Sequence, residues 1–404
     1  MDELFQSRRM WRQRALKPRY DVAIVGAGVH GLATAYYLAK EHGVRKVALL
    51  EKGYLGCGSS GRNTAILRSN YRTVEGIPFY ELSLRLYEQM PAELGWNVLF
   101  TQCGHLTLAH NDSGVAGLRV RAENNQLLGV DSRIIYPEEI RRLVPAMDVS
   151  SRAHWPVVAA LYHPPGGVIR HDAVVWGYAR ACDAMGVEIH PFTEVVGMET
   201  ARGRVARVRT ARGDIEAGAV VNCAAGWAST VAQMAGVPLP IVTHPLQACV
   251  TEPLKPFLHH VIVSATLHVY VNQTDKGELV IGAEIDPYQS YSFRGTLPTL
   301  EQMATYTLEL FPQLHSLRVL RQWAGVCDMT PDFAPIIGRA EEVANFYMDV
   351  GWGTYGFKAA PGSGKLLAAL IATGRTPELL EPFAPGRFRQ GRLVGEKAAA
   401  AVSH

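Results

Sequence analysis

Gly26, Gly28 and Gly31 stand at the spacing that lets a chain turn tightly, bring its backbone up to a pyrophosphate and pack the following helix closely. Glu51 comes about twenty residues later, where a carboxylate can accept hydrogen bonds from a ribose diol. Two cations lie in surroundings unlike those of solvated ones. Lys358 stands in an otherwise uncharged run, Gly356-Phe-Lys-Ala-Ala360, which points to a functional position. Arg68 follows the apolar pair Ile66-Leu67, so its guanidinium is expected to be enclosed, either in a structural ion pair or as an anchor for a carboxylate. His171 closes the loop Pro164-Pro-Gly-Gly-Val-Ile-Arg170. From its neighbours alone it reads as a structural histidine ahead of a helix capped by Asp172 and opened by Ala173.

The elements that must hold these residues begin with a strand, turn, helix and strand over 21–25, 26–31, 31–41 and 47–50, ending on Glu51. The helix N-terminus then presents free N–H groups to phosphate. A second glycine-rich block, 56–71, directly follows the acid, and its backbone with Ser59, Arg62, Asn63 and Thr64 suits a diphosphate and a ring system. A third block, 349–364, has glycines at 351, 353 and 356 before a helix expected to start near Ala360. A helix N-terminus there can stabilise the negative charge of a reduced flavin. The run 219–227 predicts a buried strand ending in small residues, a further place for close backbone approach. A simple NAD domain completes its site within one contiguous region. Blocks this far apart, closing over one cofactor, favour FAD.

Other segments have a different period. Residues 104–110 and 248–286 alternate apolar and polar side chains, with Asp275-Lys-Gly277 as a hairpin turn. The expected fold is α/β in two domains (α+β two-domain): a Rossmann-like FAD-binding domain with an inserted, mainly antiparallel-sheet substrate domain. The expected boundaries assign 20–92, 150–236 and 322–385 to the first and 93–149 with 237–321 to the second. Residues 1–19 form a basic extension and 386–404 a C-terminal tail, with frayed helix at 397–402. In the extension Arg8, Arg9, Arg12, Arg14, Lys17 and Arg19 alternate with Phe5, Met10, Trp11 and Leu16, as a tail in solution or as a docking surface for a partner subunit.

Composition narrows the class. A hydrophobic content of 48% with 19% charged residues suits a globular chain with a large core. A net charge of +3 from 40 basic and 37 acidic residues gives no reason to expect nucleic acid. Cys57, Cys103, Cys182, Cys223, Cys249 and Cys327 are scattered, with no metal spacing, which fits a reduced cytoplasmic compartment. No signal peptide and no bilayer-length apolar run is present, so no membrane association is expected.

Several segments together resemble the glycine oxidase and sarcosine oxidase group of flavin-dependent amine oxidoreductases, and more closely the β subunits of the heterotetrameric sarcosine oxidases. They are 30–43, Gly61-Arg-Asn-Thr64 with Arg68-Ser-Asn-Tyr71, Arg170-His-Asp-Ala-Val174, His244-Pro-Leu-Gln-Ala248, Asp275-Lys-Gly277, Arg321-Gln-Trp323, and Gly351-Trp-Gly-Thr354 with Gly356-Phe-Lys358. The resemblance implies a noncovalent FAD held by Gly26, Gly28, His30, Gly31, Glu51 and Lys52, by Ser59, Arg62, Asn63, Thr64 and Ile66, and by Val195, Gly353, Gly356 and Lys358. It implies an FMN joined covalently to His171 and shared with an α subunit, with γ and δ subunits completing the assembly and zinc held in δ. FAD would take a hydride equivalent from the N-methyl carbon of sarcosine, and electrons would pass to FMN and then to oxygen. The products would be glycine, hydrogen peroxide and formaldehyde or methylene-tetrahydrofolate, the tetrahydrofolate and NAD sites lying in α. Lys358 and Arg68 match positions that hold the substrate carboxylate.

For a catalytic base the candidates are His244 and His268, and Thr354 and Tyr270 are pocket candidates. Two departures from the pattern stand out: Tyr355 where a small residue is expected, and His163-Pro-Pro165 where a more basic segment is expected. A β subunit of a heteromeric dehydrogenase for proline or another secondary amino acid is the alternative enzyme. A flavin-carrying electron-transfer subunit is the alternative of another class.

Overall fold

The computed structural model describes residues 10–396. Its first strand, Arg19–Val25, runs parallel between Val47–Leu50 and Gly213–Asn222. Glu188–His190 lies beyond Val47–Leu50, and Phe346–Val350 lies beyond Gly213–Asn222, both parallel; Ile336–Arg339 closes that edge antiparallel. The apolar content of these strands is what a sheet covered on both faces requires. One face carries the helices Val29–His42, His171–Ala184 and Gly356–Thr373, whose Leu32, Val174 and Leu367 join Ile24 and Leu49 in one core cluster. The other face carries an antiparallel meander of Val195–Ala201 and Arg204–Thr210 with the helix Ala228–Met234.

The second sheet runs in the order Val319–Met329, Val242–Pro253, Glu278–Ile285, Val269–Gln273, Val261–Ser264, His105–Ala109, Ala159–His163, Arg133–Ile135. Every junction is antiparallel except that between Val261–Ser264 and His105–Ala109. Leu106, Leu108, Val271 and Ile281 pack outward with Ile140, Met303 and Leu310 of the covering helices. The side chains between them, on the alternate positions, face the first domain. The α/β fold with a mainly antiparallel second sheet is therefore the fold observed. The turn at Asp275-Lys-Gly277 joins two paired strands, with Gly277 at φ +99°.

Boundaries drawn at 150 and 322 would leave two strands, Ala159–His163 and Val319–Met329, largely with the first domain, but both pair in the second sheet. Neither has a face pattern of its own: each is placed by a partner strand distant in sequence. The helices Asp112–Leu127 and Leu297–Leu310 had no counterpart in the sequence reading.

Two helix starts also differ. The helix expected to open at Ala173 begins at His171, with Arg170 in the cap position. Asp172 lies in its first turn, where its Oδ1 accepts the N–H of Ala173 at 2.9 Å. The helix expected near Ala360 begins at Gly356, which brings Lys358 into its first turn and leaves Pro361 inside. Pro361 has no N–H for the carbonyl four residues back, Phe357. Tyr87 supplies the missing donor, its hydroxyl reaching that carbonyl at 2.5 Å.

The described part of the basic extension lies on its own domain. Arg12 pairs with Asp183 at 3.0 Å, Lys17 pairs with Glu188, and Tyr20 donates to Glu188 at 2.8 Å. Phe5, Arg8, Arg9 and the tail 397–402 lie outside the described residues.

Replacing Tyr87 with Phe should leave the Phe357 carbonyl unpaired at a cost of about 1–3 kcal/mol. A lower denaturant midpoint with an unchanged slope is expected, and an unchanged midpoint would show that the hydroxyl does not support the proline-containing turn.

Candidate active site

The floor of the site is the glycine turn after the first strand. Gly26 has φ +106°, and a Cβ there would stand 2.5 Å from the carbonyl oxygen of Cys223, at the end of the neighbouring strand. A Cβ on Gly31 would collide with the Gly26 carbonyl, so Gly31 serves helix-on-strand packing and does not line the cleft. A Cβ on Gly28 would meet Ser60 Oγ at 2.9 Å, the same oxygen that accepts the Val29 N–H. Glu51 is buried, its two carboxylate oxygens fixed by the N–H groups of Ala27 at 3.0 Å and Gly53 at 2.9 Å. Oε1 also accepts the Cys57 thiol at 3.6 Å, and Oε2 keeps a lone pair for a further donor.

From this floor a cleft extends between the two sheets. Gly26, Gly28, His30, Glu51 and Lys52 line it, as do Ser59, Arg62, Asn63, Thr64 and Ile66, and Val195, Gly353 and Gly356. Lys52 holds its ammonium 3.3 Å from the ring centroid of Trp227, and burial lowers its pKa. Arg62 lies 3.8 Å over the Phe293 ring and donates from Nε to the Cys57 carbonyl at 3.1 Å. His30 fastens the glycine turn to the helix Gly356–Thr373. Its Nδ1 faces Asp349 Oδ2 at 3.1 Å, its Nε2 faces the Gly356 carbonyl at 2.9 Å, and its ring stacks on Trp352 at 4.6 Å. Trp352 donates in turn to Asp349 Oδ1 at 2.7 Å.

Sequence reasoning missed Asp328, on the last strand of the second sheet. Its Oδ2 accepts the N–H of Gly351 at 2.6 Å and its carbonyl accepts that of Gly353 at 3.1 Å, so it shapes the loop that ends in Lys358. Burial raises its pKa to about 6 against the opposing pull of the Gly351 N–H. An acid ending the apolar run Ala324-Gly-Val-Cys327 was the one available signal.

The ceiling is the inner face of the second sheet. Val263 pairs with Tyr270 and His105 pairs with Val261, which puts Tyr270, Val263 and His105 on one face across neighbouring strands. The Tyr270 ring lies where a side chain on Gly282 would stand. His268 also lines the cleft, its backbone left-handed at φ +49°. Thr354 and Tyr355 line the end near Lys358, and Tyr355 is buried edge-on to Tyr71 with ring centroids 5.6 Å apart.

Arg68 and Lys358 both line the cleft. Arg68 is 4% exposed; its Nη1 donates to the carbonyl and Oδ1 of Asn70, both at 3.1 Å, and its guanidinium lies 4.5 Å from the Tyr71 ring. Arg121 donates to the same Asn70 carbonyl, from Nε at 2.7 Å. No carboxylate lies within ion-pair distance of Arg68 or Lys358 among the described residues. Burial, then Arg68, brings the Lys358 pKa down to about 7, and burial, then Arg68, brings Arg121 to about 9. Of the two sequence alternatives for Arg68, the structural ion pair is not formed. A double cation of this kind can pair with a small carboxylate.

Three histidines stand elsewhere. His244 faces the carbonyl of Asp286 with Nδ1 at 2.9 Å and does not line the cleft. His163 is buried in the second sheet, its Nδ1 2.6 Å from the Asp131 carbonyl, so it is no surface substitute for a basic side chain. His171 is partly buried outside the cleft, its Nδ1 without a hydrogen-bond partner and 3.9 Å from Asp172 Oδ1; burial lowers its pKa against the pull of Asp172.

The family model described as FAD dependent oxidoreductase matches residues 21–370. The sarcosine oxidase subunit beta of Rhodobacter capsulatus is 45% identical over 394 residues, covering 98% of this chain and 94% of that one. That of Rhizobium meliloti is 46% identical, covering 97% and 94%. Among solved structures, the L-proline dehydrogenase of P. horikoshii superposes with a TM-score of 0.89 at 30% identity, over 94% of this chain and all of that one. The glycine oxidase of Geobacillus kaustophilus, at 23% identity and a TM-score of 0.83 over 92% of this chain and 99% of that one, shares the fold.

Proposed function

Because the chain belongs to the FAD-dependent oxidoreductase family, among its sarcosine oxidase β subunits, we propose that it is the catalytic β subunit of a heteromeric sarcosine oxidase. The observation that carries this reading is the pair of buried Arg68 and half-buried Lys358, which both line the nucleotide cleft with no carboxylate at ion-pair distance among the described residues. The cleft fits FAD: the side-chain-free turn at Gly26 and Gly28 can admit a diphosphate, and Glu51 is held by two backbone donors with acceptor capacity left for a ribose. FAD, when bound, supplies the two-electron acceptor for a carbon–hydrogen bond next to nitrogen.

The chain's own residues do the rest. Arg68 and Lys358 take the carboxylate of the amino acid, and its charge becomes the counter-ion they lack. With that end fixed, the amine and its methyl group occupy one orientation in the cleft. The same two cations disfavour an ammonium beside them, so the substrate loses its extra proton and keeps a free lone pair. Tyr355, buried, and Tyr270, half-buried, both line the cleft and limit water around the reacting end.

We read His171 as the attachment point of an FMN shared with an α subunit, which would hold the NAD and tetrahydrofolate sites beside γ and δ subunits. A ring nitrogen free of partners, at the start of a helix and outside the FAD cleft, supports it. The cytoplasm is the proposed compartment; no helix among the described residues is long and apolar enough to cross a membrane.

The likeness to an L-proline dehydrogenase favours a second reading, oxidation of a cyclic secondary amino acid. Steady-state rates of the complex purified with its native partners should give a far higher kcat/KM for sarcosine than for proline, and the reverse order would replace the first reading by the second. The same complex, precipitated in acid and mapped by peptide mass, should carry a flavin mononucleotide on the His171 peptide and release FAD. An unmodified His171 peptide would refute the covalent FMN.

The clamp also has a pH signature. Lys358 is protonated below about 7 in the free cleft and loses its charge as pH rises through that value, whereas a bound carboxylate favours the charged form. Acetate, followed by the change in flavin absorbance, should therefore bind more weakly with rising pH above 7, by up to about tenfold per unit. Lys358→Met should bind acetate weakly at every pH. A wild-type affinity that does not change between pH 6 and 9 (roughly the window around the lysine's value) would overturn the assignment.

A further inference from the structure

His105 lies fully buried on the ceiling strand His105–Ala109 and lines the cleft, yet neither ring nitrogen has a hydrogen-bond partner among the described residues. A neutral imidazole presents one donor and one acceptor, and buried side chains of this kind are nearly always satisfied. Its cross-strand neighbour His163 shows what a structural histidine does in the same sheet: Nδ1 meets the Asp131 carbonyl at 2.6 Å and Nε2 faces Ser69 at 3.3 Å. His105 has no such pair among the described residues, and the open space that its residue borders is the cleft.

The surroundings define that partner. His105 shares its sheet face with Val263 on the next strand and Tyr270 on the one after, at about 5 Å per strand. Arg68, Arg121, His163 and Lys358 all face it closely enough to add, after burial, to the lowering of its pKa. A ring beside three cations stays neutral and is no receptor for a carboxylate, which Arg68 and Lys358 attract more strongly. What remains of a carboxylate-bearing amine is its N–H.

We propose that His105 contacts the substrate directly, accepting the N–H of the bound secondary amine. This rests on the reading of Arg68 and Lys358 as the carboxylate clamp. The ammonium form sheds its proton to solvent before docking, and the remaining N–H donates to the imidazole while the lone pair stays free. His105 is thereby a specificity residue: a neutral tertiary amine such as N,N-dimethylglycine has no N–H to offer and forfeits the contact.

The test compares sarcosine with N,N-dimethylglycine on the purified complex, with acetate binding as the control for the clamp. His105→Phe should lower kcat/KM for sarcosine by about tenfold or more, the equivalent of one lost hydrogen bond, and leave N,N-dimethylglycine and the acetate Kd nearly unchanged. His105→Gln, which keeps an acceptor, should recover part of the loss, and His105→Leu serves if the Phe variant does not retain FAD. Equal losses for both amines, or no loss for sarcosine, would reduce His105 to a core residue and leave the clamp standing. Failure of acetate to bind the wild-type complex would sink the clamp and this inference with it.

Discussion

Positive charge taken out of water without a counter-ion is the condition around which this molecule is arranged. A buried cation is expensive unless something answers it. Among the described residues, Arg68 finds only the oxygens of Asn70 and the face of Tyr71, and Lys358 finds the neighbourhood of the Tyr355 ring. Arg121 presses a third charge against the same asparagine, while the nearest acid to act on it, Glu396, is occupied with the backbone of Arg72 and Thr73. Folding supports this imbalance with apolar cores on both faces of the parallel sheet and behind the second sheet. On the function proposed above, the carboxylate of the substrate answers this deficit.

The parts legible in the sequence were those written in consecutive residues. The turn from Gly26 to Gly31 and the acid at Glu51 form one local unit, so spacing alone placed them. Lys358 and Arg68 were visible because a charge within an apolar or glycine-rich run has to be accounted for. Asp328 and His105 were not visible, since each depends on strand partners far away in the chain: Asp328 on the pairing with Val242–Pro253, His105 on Val261–Ser264 and Ala159–His163. Nothing within a few residues of either announces which way it faces.

The misplaced helix start has its own lesson. Glycine disfavours helix, so the glycines at 351, 353 and 356 place the expected start beyond them, near Ala360. The chain instead begins the helix at Gly356 and tolerates the proline, because a tyrosine from another helix satisfies the carbonyl it strands. A local rule was overruled by a side chain some 270 positions away. His171 moved in the same sense, from the residue before a helix to its first member, because Asp172 acts in the opening turn and not as its cap.

The alternation of the second sheet has a consequence for descent. Side chains on the inner face of its central strands, His105, Val263 and Tyr270 among them, meet the cleft, while the glycine turn and Glu51 that suit a nucleotide belong to a different sheet. One substitution overhead can therefore redraw a single feature of the small molecule admitted, and the grip on the nucleotide below is left untouched. A lineage built this way can change its diet one residue at a time without ever rebuilding its engine.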